Sequence, residues 1–384
     1  MALKDGGTGL DLGPGAVMVR LPGPLAQRPV RPPGSPGARR PGRGGVRHRR
    51  DGFPMIRTHF EDLVPGLVLT CGPIAVSRDE IVAFAEAYDP QPFHLSEAAA
   101  EGSFVGRLIA SGWHTCALGM RLIARDFILQ ASSMGSPGID EVRWLRPVLP
   151  GDSLTLRMTI AEARPSASKP DRGLVRVQAA MVDGGGETVM TQDFWVMFGR
   201  RGAAPLPART LPPREPGPPT FASATGFPAG GYDDLAVGAT HDLGGYHFGR
   251  DVVLAFARAF DPQPFHVDEA AARRSHFGGL CASGWHTAAG FMNRLVAARD
   301  LGRLQAEARG EPVAAGGPSP GFRNLKWLRP VYAGDTIRYA ITLTDKRPSA
   351  SRSGWGLVHH TASGRDQFGD EVFRFDGAWF APRG

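Results

Sequence analysis

The strongest constraint on how this chain can fold is that it contains the same stretch twice. Residues 84–94 read FAEAYDPQPFH and residues 256–266 read FARAFDPQPFH, identical at nine of eleven positions and 172 residues apart. The same offset links HFEDLVPG at 59–66 to GYDDLAVG at 231–238, and ASGWHT at 110–115 to ASGWHT at 282–287. A repeat of that period is the period of a domain, so the chain is expected to hold two copies of one unit of about 150 residues. Length agrees, since 384 residues exceed what one hydrophobic core ordinarily organises.

Between the copies, eight prolines fall from Pro205 to Pro228, a composition that predicts a semi-extended linker rather than core. The expected units are therefore 55–200 and 231–384, joined by a linker at 201–230. Residues 1–54 are crowded with Arg, Pro and Gly, show no helical or strand period, and are expected to be disordered. They fit a basic tail that meets acidic partners, or a reading frame begun upstream of a true start at Met55. The second is the simpler reading, and peptides from 1–50 in the native protein would overturn it. The formal net charge of +7 lies wholly in this tail, where Lys4 and nine arginines face Asp5, Asp11 and Asp51. The remaining residues balance at 34 positive and 34 negative, so a basic face for nucleic acid is not expected.

Cys71, Cys116 and Cys281 form no CxxC pair and suggest a reducing, cytoplasmic setting. No apolar run approaches the ~18 residues of a membrane span, and GAVMV in the tail is too short for a secretory signal.

Within each unit the order is helices and then strands. Ser77 and Glu80 stand at capping-box spacing before the stripe Ile81, Phe84, Ala85, Tyr88, which predicts a helix over about 78–88 ended by Pro90. The second copy repeats the stripe as Val253, Phe256, Ala257, Phe260, with Pro262 as its stop. The apolar stretches 116–129 and 288–304 predict a buried central helix that begins near Ser111 and Ser283. WLRPV then recurs at 144–148 and 327–331, now 183 residues apart, so the second unit has gained eleven residues, expected in the loop after its central helix. Strand patterns cover 154–160, 174–182 and 189–198, with Gly184 to Gly186 marking a hairpin, and the class is α+β.

Asp89 and His94, with Asp261 and His266, are the candidate acid/base pairs. Pro90 and Pro92 stiffen the turn between the two side chains, and a stiff turn suits groups that must hold water and a carbon within hydrogen-bond reach. A lone Asp-Pro-x-Pro turn is more simply a helix stop beside a packed histidine; the motifs around it change that balance.

Those motifs resemble the MaoC-like dehydratases, the (R)-specific enoyl-CoA hydratases of the hot-dog fold, whose signature runs roughly G-D-x-N-P-L-H. The chain offers Tyr-Asp-Pro-Gln-Pro-Phe-His at 88–94, and the resemblance extends over the FEDLVPG opening, ASGWHT and WLRPV followed by Gly-Asp. It implies two tandem hot-dog domains, each an antiparallel sheet wrapped on a long helix, paired within one chain as a pseudo-dimer; whether further copies assemble is left open. It also implies a hydro-lyase that adds water to an enoyl thioester, with Asp89/His94 and Asp261/His266 catalytic; because both copies retain Asp and His, two competent sites are expected, the second the more secure, since the first has Arg107 where the second has Gly279 near the pocket mouth. No cofactor is implied beyond the coenzyme A or acyl carrier of the substrate. The family's Asn and preceding Gly are replaced by Gln91 and Gln263, and by Tyr88 and Phe260, so the glutamines carry over only as candidate supporting residues.

The enolate oxygen needs donors, and the helix starts at Gly112 and Gly284 would supply backbone N–H groups; equally, these glycines can serve close helix packing. Trp113 and Trp285 are candidates for the acyl pocket wall. Arg146 and Arg329, placed on strands, are candidates for the coenzyme's phosphates. His114 and His286 are expected to be packed or hydrogen-bonded. No metal cluster or phosphate loop is expected. The competing readings are a non-catalytic acyl-CoA binding or scaffold protein, and a hot-dog thioesterase. The thioesterase is disfavoured because the central helix offers no carboxylate before Asp126.

Overall fold

The computed structural model describes residues 56–350 and 352–383, so the expectations for the 1–54 tail lie outside the described residues. The first unit runs β1 (Val68–Ala75), α1 (Arg78–Tyr88), α2 (Pro92–Leu95), α3 (Glu97–Glu101), α4 (Gly112–Asp126), β2 (Gly138–Trp144), β3 (Ser153–Pro165), β4 (Arg172–Val182) and β5 (Thr188–Gly199). The second repeats it as β6 (Thr240–His247), α5 (Arg250–Phe260), α6 (Pro264–Val267), α7 (Glu269–Arg273), α8 (Gly284–Ala308), β7 (Gly321–Trp327), β8 (Thr336–Pro348), β9 (Trp355–Arg365) and β10 (Glu371–Pro382). All ten strands form one sheet in the order β1-β3-β4-β5-β2-β7-β10-β9-β8-β6, each half the mirror of the other in strand order. This is the expected α+β tandem hot-dog.

Local chemistry explains where α1 lies. Ser77 caps it by accepting from the Glu80 amide, its buried face is Ile81, Phe84, Ala85 and Tyr88, and Asp89 closes it ahead of Pro90. The two central helices begin as expected, with Ser111 and Ser283 as N-caps that accept from Trp113 and Trp285. Their lengths differ from expectation: α4 has 15 residues and α8 has 25. Much of the eleven-residue gain therefore went into helix rather than loop, because LGRLQAEA at 301–308 is rich in strong helix formers.

Equivalent strands of the two halves meet at the centre. β2 and β7 pair antiparallel, with Ile139 opposite Leu325 and Val142 opposite Phe322. At the ends of that junction a Cβ on Gly138 would strike the Leu325 carbonyl, and one on Gly321 the Val142 carbonyl. Only glycine lets the two backbones close up there. Helices cross the divide as well. Arg121 of α4 donates to the Ala259 carbonyl at 2.7 Å, and Asn293 of α8 to the Ala87 carbonyl at 3.0 Å. Each central helix thus ties down the last turn of the other half's first helix, and the rings of Phe84 and Phe260 meet edge to face at 5.7 Å between them.

The proline-rich segment does more than span. Phe221 exchanges both backbone hydrogen bonds with Gly245 on the edge strand β6, and Phe227 is buried in the core. It covers an edge that would otherwise be open to pairing with another chain. Among the described residues no helix is long and apolar enough to cross a membrane.

Candidate active site

The turn after α5 and the start of α8 build the second site together. Asp261 closes α5, and His266 lies in α6, whose first residue is Pro264. Both side chains are buried, and Asp261 Oδ2 stands 3.5 Å from His266 Nε2. Each has its remaining polar atoms engaged. Asp261 Oδ1 accepts from the Gln263 amide at 2.9 Å, and Oδ2 from the Ser283 hydroxyl at 2.7 Å. His266 Nδ1 lies 2.8 Å from the Cys281 carbonyl. That carbonyl can only accept, so Nδ1 carries the proton and Nε2 is the atom left to face Asp261. Burial pushes the Cys281 thiol up, with the nearby Asp261 charge adding to it, so this cysteine is an inert neighbour rather than a nucleophile.

The first site repeats this arrangement. Asp89 Oδ2 is 3.4 Å from His94 Nε2 and accepts from Ser111 at 2.6 Å, Oδ1 accepts from Gln91 at 2.8 Å, and His94 Nδ1 meets the Ile109 carbonyl at 2.8 Å. The twin geometry explains why ASGWHT recurs. Its serine caps the central helix and grips the aspartate at once. WLRPV recurs for a linked reason: the Val148 and Val331 carbonyls accept from Ala110 and Ala282 just ahead of those helices. Trp144 and Trp327 pack against Gly112 and Gly284, where any Cβ would strike the indole. The close-packing role of these glycines is thereby visible. Gly284 and Trp285 also line a cavity with the dyad, so its helix-start amides sit beside it.

The two sites differ in what lies in front of them. A cavity of about 250 Å³ reaches Asp261, Gln263 and His266, and its opposite wall comes from the first half through Ile123, Ile139 and Phe194. At Trp113, the first half's counterpart of Trp285, the corresponding wall is a plug of rings. Phe322 and Phe375, the counterparts of Ile139 and Gln192, pack on Trp113, with Phe322 stacked at 4.9 Å and Phe375 edge-on at 5.7 Å. Arg299 lies over the rings of Phe227 and Trp379. Burial lowers its guanidinium to about 10, against the charge of Asp89, which raises it. A second cavity, about 470 Å³, touches Gln91, Phe93, Arg299 and Trp379, but neither Asp89 nor His94 is among its walls.

The remaining candidates fall out unevenly. Trp285 lines the open cavity, while Trp113 is part of the aromatic plug. Arg146 and Arg329 are not on strands: β2 and β7 stop at Trp144 and Trp327, because Pro147 and Pro330 cannot continue a ladder. Both arginines are exposed and paired, Arg146 with Glu187 at 2.8 Å and Arg329 with Asp370 at 2.7 Å, and Arg329 borders the open cavity. His114 and His286 are packed, stacked on Phe84 and Phe256 at 4.6 Å, and no ring nitrogen of either has a partner. Their burial drives the pKa of His286 down to about 3 and that of His114 well below its ordinary value. Asp126, the carboxylate ending α4, is held by Arg125 and the Gly72 amide, away from the dyads. Among the described residues no group of three or more His, Cys, Asp or Glu could hold a metal.

Three participants were not foreseen. In the sequence Ser111 and Ser283 signal only helix starts, although their repetition 22 residues after each aspartate is a usable signal. Ser133 of the first half donates to Gln263 at 2.8 Å and so joins the second site from across the divide.

The MaoC like domain model matches twice, over residues 65–181 and 240–362. A mesaconyl-CoA hydratase of Cereibacter sphaeroides is 32% identical over 129 residues, which are 32% of this chain and 37% of that protein. An uncharacterised Bacillus subtilis protein, YdeM, is 26% identical over 122 residues, 32% of this chain and 79% of its own length. Among solved structures, a MaoC domain dehydratase of Chloroflexus aurantiacus superposes with a TM-score of 0.67 at 19% identity, covering 85% of this chain and 98% of its own. A Mycobacterium tuberculosis protein described as a double hot-dog does so with 0.57 at 16%, covering 87% and 99%. At such identities the structural likeness is one of fold. The two matched segments take in more than half of the sequence, one on each copy of the repeat, and the chain belongs to the MaoC-like domain family, which includes hydratases.

Proposed function

We propose that the protein is a hydro-lyase that reversibly adds water to a 2-enoyl thioester, and that the reaction runs at Asp261 and His266. The observation that carries this is a carboxylate and an imidazole facing each other at 3.5 Å in a cavity that also receives the start of α8. At that separation a water can bridge Asp261 Oδ2 and His266 Nε2. The pair takes a proton from the water as its oxygen adds to C3 of the enoyl group, and returns a proton to C2. The thioester oxygen carries negative charge in between, and the Gly284 amide is the nearest helix-start donor to receive it. Coenzyme A or an acyl carrier enters only as part of the substrate. The hydratase relative from Cereibacter sphaeroides supports the reaction class, through a match that covers only part of that protein.

Hydration of (E)-but-2-enoyl-CoA, followed by loss of double-bond absorbance, tests the assignment. Asp261→Asn should lower kcat by ~10²–10⁴-fold, the range general acid–base groups ordinarily supply. Asp89→Asn should leave most of the rate, because aromatic rings pack on Trp113 where the second site has its cavity beside Trp285. An undiminished rate in Asp261→Asn would sink the proposal, and loss of activity in Asp89→Asn alone would move it to the first site.

A further inference from the structure

The buried face of β5 reads Met190, Gln192, Phe194, Val196 and Phe198 in alternation, and one of the five is polar. Gln192 is 5% exposed and lines the cavity that holds Asp261 and His266. Its amide nitrogen meets only Met190 Sδ at 3.7 Å, and sulfur is a weak acceptor. Its carbonyl oxygen has no donor among the described residues. Burying a carboxamide so poorly matched is destabilising, because its lost hydrogen bonds to water are not replaced. At the pseudo-equivalent position the second half carries Phe375, which packs against Trp113 without any such cost. The fold therefore accepts a phenyl ring here, and the amide is not required by it.

Resting on the hydratase reading, we infer that Gln192 is a specificity-determining residue: it reads a neutral oxygen substituent, a hydroxyl above all, on the acyl chain of the substrate. The free atom is an acceptor, and a hydroxyl donates to it while still able to accept from the amide nitrogen. A carboxylate fits less well, since the one cation among the cavity's walls, Arg329, is exposed and already bound to Asp370. The dyad and the helix start come from the second half, and Gln192 stands on the apolar wall that the first half contributes to the same cavity. A site built around a hydrogen bond to substrate discriminates strongly against the analogue lacking it.

The probes are 2-enoyl-CoA thioesters with a terminal hydroxyl on C4, C5 or C6, each paired with the isostere in which methyl replaces hydroxyl, and the saturated acyl-CoA of each. Hydration is followed on the first set and calorimetric binding on the second. The native protein should favour one hydroxylated member at least tenfold over its isostere, and Gln192→Leu and the nearly isosteric Gln192→Met should abolish or reverse that preference. Both variants are checked for native melting, and either one folded suffices. No preference in the native protein, or a preference that survives in a folded variant, overturns the inference. The two readings fail separately. Gln192-dependent binding of saturated hydroxyacyl-CoA without any hydration would leave this inference and remove the hydratase, whereas hydration indifferent to the hydroxyl would do the reverse.

Discussion

At the scale of single residues the second site is a chain of hydrogen bonds that crosses between the halves: Ser133 donates to Gln263, Gln263 to Asp261, and Asp261 faces His266. Ser133→Ala should therefore lower kcat several-fold while leaving KM nearly unchanged, because it loosens the orientation of the carboxylate without touching the substrate. Steady-state hydration kinetics check this, and an effect on KM alone would contradict it. In the first site the position equivalent to Ser133 is Gly316, which offers no hydroxyl to Gln91. The dyads themselves were legible because both partners lie within one proline-stiffened turn. Ser133 was not, since it approaches from 130 residues away in the other half, and no local pattern carries that distance. Gln192 lay between. Its intrusion into an alternating apolar strand is visible in the sequence, but its meaning depends on the cavity.

At the scale of elements the recurring glycines make a sharper test than the helices they begin. Gly284→Ala sets a methyl against the Trp327 indole, and Gly112→Ala does the same against Trp144. Each should cost ~1–3 kcal/mol of stability, as overpacking ordinarily does, read as a lowered denaturation midpoint. Gly284→Ala should also reduce hydration, since it shifts the helix start beside the dyad, whereas Gly112→Ala should not. Equal losses of activity in both would contradict the difference between the sites. The elements are legible in the sequence where a cap and a proline bound them, as for α1. They are less legible where only a motif marks them. WLRPV reads as strand, yet its proline ends the ladder at the tryptophan. The proline-rich linker looked like a spacer, yet Phe221 and Phe227 give it an edge strand to cover and a core to enter.

At the scale of the molecule, the central packing between and within the halves encloses histidines that the chemistry does not use. His114, His286 and His360 are buried, and no ring nitrogen of any of them has a partner. Desolvation holds His286 and His360 down at about 3, and His114 well below its ordinary value. Unfolded, each would titrate near 6.5. As pH falls through that value the unfolded chain takes up protons that the folded chain refuses. The stability these residues allow is therefore whole above about 6.5 and is lost progressively down toward the folded values. Each such histidine forfeits on the order of 1 kcal/mol per pH unit in that window. The melting temperature should fall steadily from pH 7 to pH 5, with no matching loss from pH 8 to pH 7. In His286→Phe, where a ring still stacks on Phe256, the slope between pH 7 and pH 5 should be shallower than in the native protein. An unchanged slope would show that His286 takes up its proton in the folded state, and that water reaches the seam between the halves.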